Sequence, residues 1–532
     1  MGIVNPHIQV HARPSITLVA KIVGLGLVDG LGLWAALVLM GDRAWGLLAA
    51  LAVGLVAINL VVWVDRLFPY RYLLPGLVFM VATVVYPILY TVVISTTNYG
   101  TGHILTKQQA IAQITGRHEI VPGGRSLPFD AFRDPDGRLA LLLYDEGKLL
   151  WGVLRGDPAD VVVVRPLEPS EAELVDADGD GRPERVGPFE VLSRRELLQA
   201  TTTLQQVVVD DGRSHFSMRS VSQFVQAAPR YRYDPSQDAI VDLKTNTVYR
   251  AVDGFFVSPE GQRLTPGFRA SVGLDNYRRL FTNPQIAGPF LRVLVWTLEW
   301  AALSVVTTFT LGLFLAVLLN DPFLRFRTFY RTVLIIPYAL PAFISALVWR
   351  GLYNTELGVI NRWLGQLLGV QIPWLQDPFW AKVALIILNL WLGFPYMMVV
   401  SLGALQSIPS ELYEAATVDG ASPWQQFRWV TFPLLLIAVA PLLVASFAFN
   451  FNNFVVIYLL TEGRPPIPGA QTPAGATDIL ISYTYRLAFE SGWGADYGLA
   501  SAVAILIFFF VGTLSYFNFK WTRALEEVRQ SV

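Results

Sequence analysis

The chain has 532 residues, of which 53% are hydrophobic and only 15% charged, against roughly 25% charged in a typical soluble domain. That balance excludes an ordinary soluble globule and reads as an integral membrane protein. The net charge of −1, from 40 basic and 41 acidic residues, argues against a polyanionic partner such as nucleic acid, and the lack of cysteine excludes disulfides, thiolate metal sites and cysteine nucleophiles.

A bilayer core asks for about 20 consecutive apolar residues per helix, because only an internally hydrogen-bonded backbone survives in hydrocarbon. Eight stretches qualify: Ile16–Met40, Ala44–Val64, Leu73–Ser95, Leu294–Leu319, Thr332–Trp349, Val383–Leu405, Phe432–Leu460 and Gly498–Phe519. The first is the weakest, since it contains Lys21 and Asp29, and with no small-residue cleavage site after it, it is expected to be retained rather than removed as a signal peptide. Arg13, then Arg66 and Arg71, then Arg325, Arg327 and Arg331, then Lys520, Arg523 and Arg529 fall in alternate connections. By the excess of basic residues on the cytoplasmic side, both termini are predicted to be cytoplasmic and the long gap after the third span to lie outside.

The chain thus divides into three spans (1–95), an external domain (96–275) and a five-span core (276–532). The external segment carries short β-like runs, Leu139–Tyr144, Val161–Val164 and Val207–Val209, punctuated by Asp134-Pro135-Asp136-Gly137 and Asp210-Asp211-Gly212, with a helix-compatible stretch at Ser193–Gln206. Its length suffices for a core of its own, so a folded β-rich domain is expected. Within it, Asp176-Ala177-Asp178-Gly179-Asp180-Gly181 alternates carboxylates and turns on glycine as calcium loops do, with Glu184 at position nine. Position twelve, however, is Gly187, where an EF-hand has its bidentate glutamate. A solvated acidic turn and a calcium site on Asp176, Asp178, Asp180 and Glu184 both remain open; no other cofactor is expected.

The loop between the sixth and seventh spans (406–431) is the most informative. It reads Glu411-Leu412-Tyr413-Glu414-Ala415-Ala416-Thr417-Val418-Asp419-Gly420-Ala421, continuing to Phe427, Val430, Phe432 and Pro433. Ser410 is placed to cap a short helix, with Glu411 on its first turn and Gly420 as a left-handed stop. Two successive alanines leave a shallow surface against which another protein can press; alone, such a helix could equally lie on lipid headgroups. In the seventh span, Ser446, Asn450 and Asn453 stand at i, i+4 and i+7 with Phe449 alongside, a pattern that reads alone as interhelical hydrogen bonding and equally offers amides and a ring face to a sugar. Asn452 falls off that face and is assigned to packing.

The full spacing of the loop, E-A-A, D-G-A, then Phe, an aliphatic residue and Pro, resembles the EAA motif of the membrane subunits of ABC importers. The segments Ile336-Pro337-Tyr338-Ala339-Leu340-Pro341, Asn389-Leu390-Trp391-Leu392-Gly393-Phe394-Pro395-Tyr396, Ser446 to Asn453 and Thr472-Pro473-Ala474-Gly475 narrow the similarity to the maltose and maltodextrin permease subunits. That resemblance implies an α-helical polytopic membrane protein, a type I ABC importer permease fold with an inserted β-rich extracytoplasmic domain, in a bacterial inner membrane. It implies a sugar site at Tyr338, Leu392, Gly393, Tyr396, Ser446, Phe449, Asn450 and Asn453, and ATPase coupling through Glu414, Ala415, Ala416, Asp419 and Gly420. Ala342 departs from the pattern, which has serine there. Implied partners are a second, homologous MalG-like permease subunit, two copies of an ABC ATP-binding subunit, an extracytoplasmic sugar-binding protein, and maltose or maltodextrin, with trehalose or a related glucoside as the alternative. The chain has no G-x-x-x-x-G-K-[ST] loop, so no catalytic residue is assigned and ATP hydrolysis falls to a partner. An anchored sensor fits poorly with five charge-poor spans after the external domain; an ion-driven transporter would call for repeat symmetry and buried ionisable residues.

Overall fold

The computed structural model describes residues 16–41, 45–154, 161–167, 174–177, 179, 181–490, 492 and 494–530. The chain separates into two compact units, 1–92 and 93–532. In the first, α1 (Ile16–Gly41) and α2 (Trp45–Trp63) precede the long span α3 (Asp65–Ser95), which continues into the second unit. Gly32 of α1 lets Leu55 of α2 come so close that a Cβ there would stand 2.6 Å from its Cδ1. One turn away, Asn59 Nδ2 donates to Asp29 Oδ1 at 2.9 Å, so the intramembrane carboxylate noted in the sequence is held by an amide of the next span.

The inserted domain contains two sheets among the described residues, of twelve and five strands. In the larger, Ser126–Arg133 pairs antiparallel with Leu139–Asp145, with Ala131 opposite Leu141, and Leu139–Asp145 pairs with Lys148–Val153. Leu141 and Leu143 pack with Phe129, Phe216 and Phe224 on one face, while Ala140 and Leu142 pack with Phe132, Val186 and Phe189 on the other. The unbroken apolar run Leu139–Leu143 is therefore a strand covered on both sides. The helix-compatible stretch forms α5 (Arg194–Leu204), opened by a reciprocal capping box between Ser193 and Glu196; before it comes α4 (Lys107–Thr115). The smaller sheet is a five-strand meander from Tyr231 to Leu264, closed over Ala110 and Ile114 of α4.

Chain entry to and exit from this domain are bound together. Thr97 and Ser271 form an antiparallel bridge. The buried amide of Asn276, on α6 (Asp275–Thr282), donates to Ser95 O at 2.9 Å and Thr97 O at 2.7 Å, and Ser95 Oγ meets Tyr277 Oη at 2.8 Å.

Next come α7 (Pro284–Asn320), α8 (Arg327–Ala339), α9 (Ala342–Leu352), α10 (Val359–Leu368), α11 (Pro378–Gln406), α12 (Ser410–Val418), α13 (Pro423–Phe451), α14 (Phe454–Thr461), α15 (Leu480–Phe489) and α16 (Tyr497–Gln530). Two expected spans are not continuous helices. The fifth, Thr332–Trp349, is a pair, α8 and α9, bent by 90°. Pro341 removes a backbone donor and pushes Leu340 to extended backbone at ψ 135°. The seventh, Phe432–Leu460, stops at Phe451, and Asn452 and Asn453 leave helical geometry before α14 begins.

α7 and α11 run in the same direction side by side. Lys382 Nζ lies 4.3 Å from the Trp296 ring, a Cβ on Gly393 would be 2.8 Å from Thr308 Cγ2, and one on Gly312 would be 2.6 Å from Met397 Cβ. Small residues let the two helices approach closely, as in other membrane bundles. Because α7 starts at the inserted domain, α11 ends on the opposite face of the bundle, and so does the 407–422 loop.

In the domain, Asp242 accepts from the Lys244 amide at 2.9 Å and from Arg230 at 3.2 Å. Burial alone would raise its pKa, but these amide and guanidinium donors outweigh it and hold the carboxyl below its ordinary 3.8. A depressed value means that the stabilisation is complete above about pH 4 and is lost as pH falls through the lowered pKa. Asp242→Asn should cost about 1–3 kcal/mol at neutral pH, read as faster hydrogen exchange in Tyr231–Val252 of the full chain, and should flatten the acid sensitivity of that segment.

Candidate functional site

Both helix breaks open onto one cavity of about 500 Å3, walled by α7, the α8–α9 bend, α11 and the end of α13. Irregular backbone at membrane depth is tolerated where it lines such a space. At the second break, the Asn450 carbonyl, released from its helical partner, accepts Trp300 Nε1 at 3.0 Å and the Asn453 amide at 3.1 Å.

All eight residues of the predicted sugar site, Tyr338, Leu392, Gly393, Tyr396, Ser446, Phe449, Asn450 and Asn453, line this cavity, together with Thr308, Ala342, Asn389 and Met397. Tyr338 and Tyr396 stack with centroids 6.2 Å apart and planes at 22°. Tyr338 is 60% and Phe449 70% exposed, so two ring faces stand open in this chain.

The amides differ. Asn450 is buried; its Nδ2 donates to Ser446 O at 2.8 Å and its Oδ1 accepts from Asn389 Nδ2 at 2.9 Å. It joins α13 to α11, the interhelical role that the sequence pattern also allowed. Asn453 is not on the helical face of Ser446 and Asn450 as its spacing suggested: it sits in the break before α14, and among the described residues its side chain has no hydrogen-bond partner. Asn389 went unassigned in the sequence, although its spacing to Gly393 and Tyr396, i+4 and i+7, puts all three on one face of α11.

On the face opposite the inserted domain, α12 has no buried residue: Tyr413 and Ala416 are half-buried and the rest are exposed. Its cap is Pro409, not Ser410, which is the first helical residue, and no side chain caps it. Gly420 has φ +77°. The Gly420 amide donates to Thr417 O and the Ala421 amide to Ala416 O, a Schellman stop. Gln426 Nε2 bonds Thr417 Oγ1 at 3.0 Å, and Tyr413 meets Thr431 at 3.1 Å, fastening α12 to the start of α13. Leu412, Glu414, Ala415, Val418 and Asp419 are left facing outward, with Trp424 and Trp429 exposed nearby.

The Thr472–Gly475 motif belongs to the loop on the domain side of the bundle, where the Gly475 amide donates to Asp478 Oδ2 at 2.7 Å and Arg486 Nη1 lies 2.6 Å from the same carboxylate. In the acidic loop, Asp176 accepts from the amides of Gly179 at 2.8 Å and Gly181 at 3.0 Å, and Glu184 from that of Ala177 at 2.7 Å. Asp178 and Asp180 lie outside the described residues, and among the described residues no group of three or more metal-ligating side chains occurs.

Comparison with known proteins decides the family. Residues 308–522 match the model of the binding-protein-dependent transport system inner membrane component, and 78–153 that of the N-terminal region of the TM subunit in PBP-dependent ABC transporters. The maltose/maltodextrin transport system permease protein MalF of Photorhabdus laumondii is 38% identical over 498 residues, covering 91% of this chain and 93% of that protein. The MalF of Escherichia coli K12 is 37% identical over 508 residues, covering 94% and 96%. The chain belongs to the MalF family. Membership makes it a multi-pass inner-membrane component of a transport system rather than a catalyst. Among solved structures, a bacterial ABC transporter involved in import of the acidic polysaccharide alginate is 26% identical, with a TM-score of 0.41 over 47% of this chain and 84% of that one. The 308–522 match to the MalF family's transport component spans the cavity walls from Thr308 to Asn453 and the whole of α12.

Asn389→Leu and Asn450→Leu should each destabilise the bundle by leaving a buried amide unpaired, by about 1–3 kcal/mol. The double variant should cost less than the sum, by about 0.6–1.7 kcal/mol, the range of such pairs in membrane helices. Thermal unfolding of the four proteins in detergent gives the coupling.

Proposed function

We propose that this chain is the membrane-spanning subunit through which an ABC importer passes maltose and maltodextrins. The observation that carries the reading is the cavity that gathers eight residues from positions 338 to 453, with open aromatic faces, a hydroxyl and a free amide. Sugar CH surfaces suit the rings of Tyr338, Tyr396 and Phe449, and sugar hydroxyls suit Asn453 and Ser446. Asn450 acts mainly through Asn389 and Ser446, fixing the wall on which the sugar rests. Ala342 leaves the wall apolar where the family resemblance expects a hydroxyl, so one hydrogen-bond contact to the sugar is missing there.

The partners in this proposal are a second, homologous permease subunit that closes the open side of the cavity, two ATP-binding subunits and an external sugar-binding protein. Exposed α12, with Glu414, Ala415, Ala416, Asp419 and Gly420, supports docking of the ATPase. Its position on the face opposite the inserted domain agrees with the basic-residue count: termini and α12 cytoplasmic, the 96–275 domain outside and free to meet the binding protein. For the acidic loop we favour the solvated turn over calcium, since Asp176 and Glu184 already accept backbone amides.

The test is uptake and ATP hydrolysis by the reconstituted complex. Asn453→Ala should lower maltose uptake at least tenfold, with hydrolysis and assembly intact, because the side chain holds nothing else in place; unchanged uptake would remove it from the sugar path. Ala342→Ser should favour maltose over other glucosides. Ala416→Trp and Gly420→Val, the latter forcing a β-branched residue to positive φ at a cost of about 1–2 kcal/mol or more, should release the ATPase or uncouple hydrolysis. Normal transport by both would exclude α12 as the coupling element.

A further inference from the structure

The short helix α10 lies on the face of the bundle that carries the inserted domain, between the end of α9 at Leu352 and the start of α11 at Pro378. Its inward side is fixed by one residue. Asn361 is buried; its Nδ2 donates to Thr355 O at 3.1 Å and Ile372 O at 2.8 Å, while its Oδ1 accepts from the Ile372 amide at 3.2 Å and Trp374 Nε1 at 3.0 Å. Ile360 and Leu364 pack beneath it on the core of Trp300, Tyr353 and Leu385. So held, the helix cannot roll to hide its other side.

That other side is apolar and open. Val359, Trp363 and Leu367 stand at i, i+4 and i+8 of the helix, exposed by 41, 64 and 80%, and Val370, just past its left-handed end at Gly369, is 47% exposed. Arg362 is the only charged residue of α10 and has no acidic partner among the described residues. Trp349, Tyr353, Trp374 and Trp380 form a chain of ring contacts at 5.0–5.4 Å packed into the core beneath the α9 and α11 ends, Tyr353 and Trp374 being buried. Phe379, 5.4 Å from Trp380, points outward on the first turn of α11. Exposed tryptophans such as Trp363 are enriched at the boundary between hydrocarbon and headgroups. Leu347 and Val348 on α9 and Phe379 on α11 are exposed as well, and the guanidinium of Arg362, next to Trp363 in the helix, matches lipid phosphate.

We infer that α10 is a surface-lying anchor whose Val359–Trp363–Leu367–Val370 stripe is seated in the phospholipid headgroup–acyl boundary on the inserted domain's side, with Arg362 at the phosphates. The anchor sets the depth of α9, whose first residue, Ala342, stands on the cavity wall at the helix bend.

The chain contains no cysteine, so Trp363→Cys and Leu367→Cys on the stripe, and Gly365→Cys on the far side of the helix, where an added Cβ meets nothing within 4 Å, each give a unique spin-label site. With the full complex in nanodiscs of phosphatidylcholine and phosphatidylglycerol, labels at 363 and 367 should collide with oxygen at least threefold more than with a nickel chelate, and the label at 365 the reverse. Nickel-dominated collisions at all three positions would put the helix in water and overturn the inference. Immobilised spectra shielded from both reagents at 363 and 367 would also overturn it, in favour of a protein partner. Should the labels disturb folding, the fluorescence lost on Trp363→Phe gives the same answer: in wild type that component should be quenched by brominated acyl chains, and the absence of quenching counts against the anchor.

Discussion

The close, same-direction contact of α7 and α11 is the constraint from which the rest of the core follows. Gly312 and Gly393 leave no room for a Cβ, so the helices meet where backbone and small side chains touch, and dispersion between them replaces a hydrophobic force that lipid cannot supply. Two neighbouring parallel spans cannot be joined by a short turn. The connecting chain must recross the bilayer, and α8 with α9 makes that return. The inserted domain and the α12 loop are thereby committed to opposite faces before any side chain in either is considered.

The cavity arises because the return span and the end of α13 are both interrupted. A continuous helix satisfies its own backbone and presents only side chains; an interrupted one exposes carbonyls and amides that need partners. Here they find Trp300 and nearby backbone groups. The Asn389–Asn450 pair performs the same service between side chains. What is left over, Asn453 and the open rings of Tyr338 and Phe449, is what the site has to offer a ligand.

Spans were legible from composition because the bilayer imposes a length and a polarity that few other contexts share. The helix stop in the α12 loop was legible because glycine there answers a demand on backbone sign, and Gly420 indeed adopts positive φ. The three β-like runs read in the domain came within one residue of strands Leu139–Asp145, Val161–Val163 and Val208–Asp210, because each is a short apolar run, and two of them adjoin turn signals; the domain's other strands went unread. The breaks were not legible. Hydropathy averages over a window and is blind to a 90° bend, although Pro337 and Pro341 stood in view. Nor does spacing along a continuous helix apply to Asn453 once the helix has ended, and the pairing of Asn389 with Asn450, 61 positions apart, is a tertiary fact.

The stem of the inserted domain has a mechanical meaning. Its two passages, nearly 180 positions apart, are bound by the buried amide of Asn276, the Thr97–Ser271 bridge and the Ser95–Tyr277 contact, and braced by Arg279 against Asp496, 3.1 Å away, just before α16. A domain hung on two separate flexible strands would swing without moving what it hangs from. Here a load applied to the domain arrives as torque on α6 and the first turn of α7, the helix that also forms one half of the seam. A load on that domain is therefore taken up by the start of the bundle and not by loose connections.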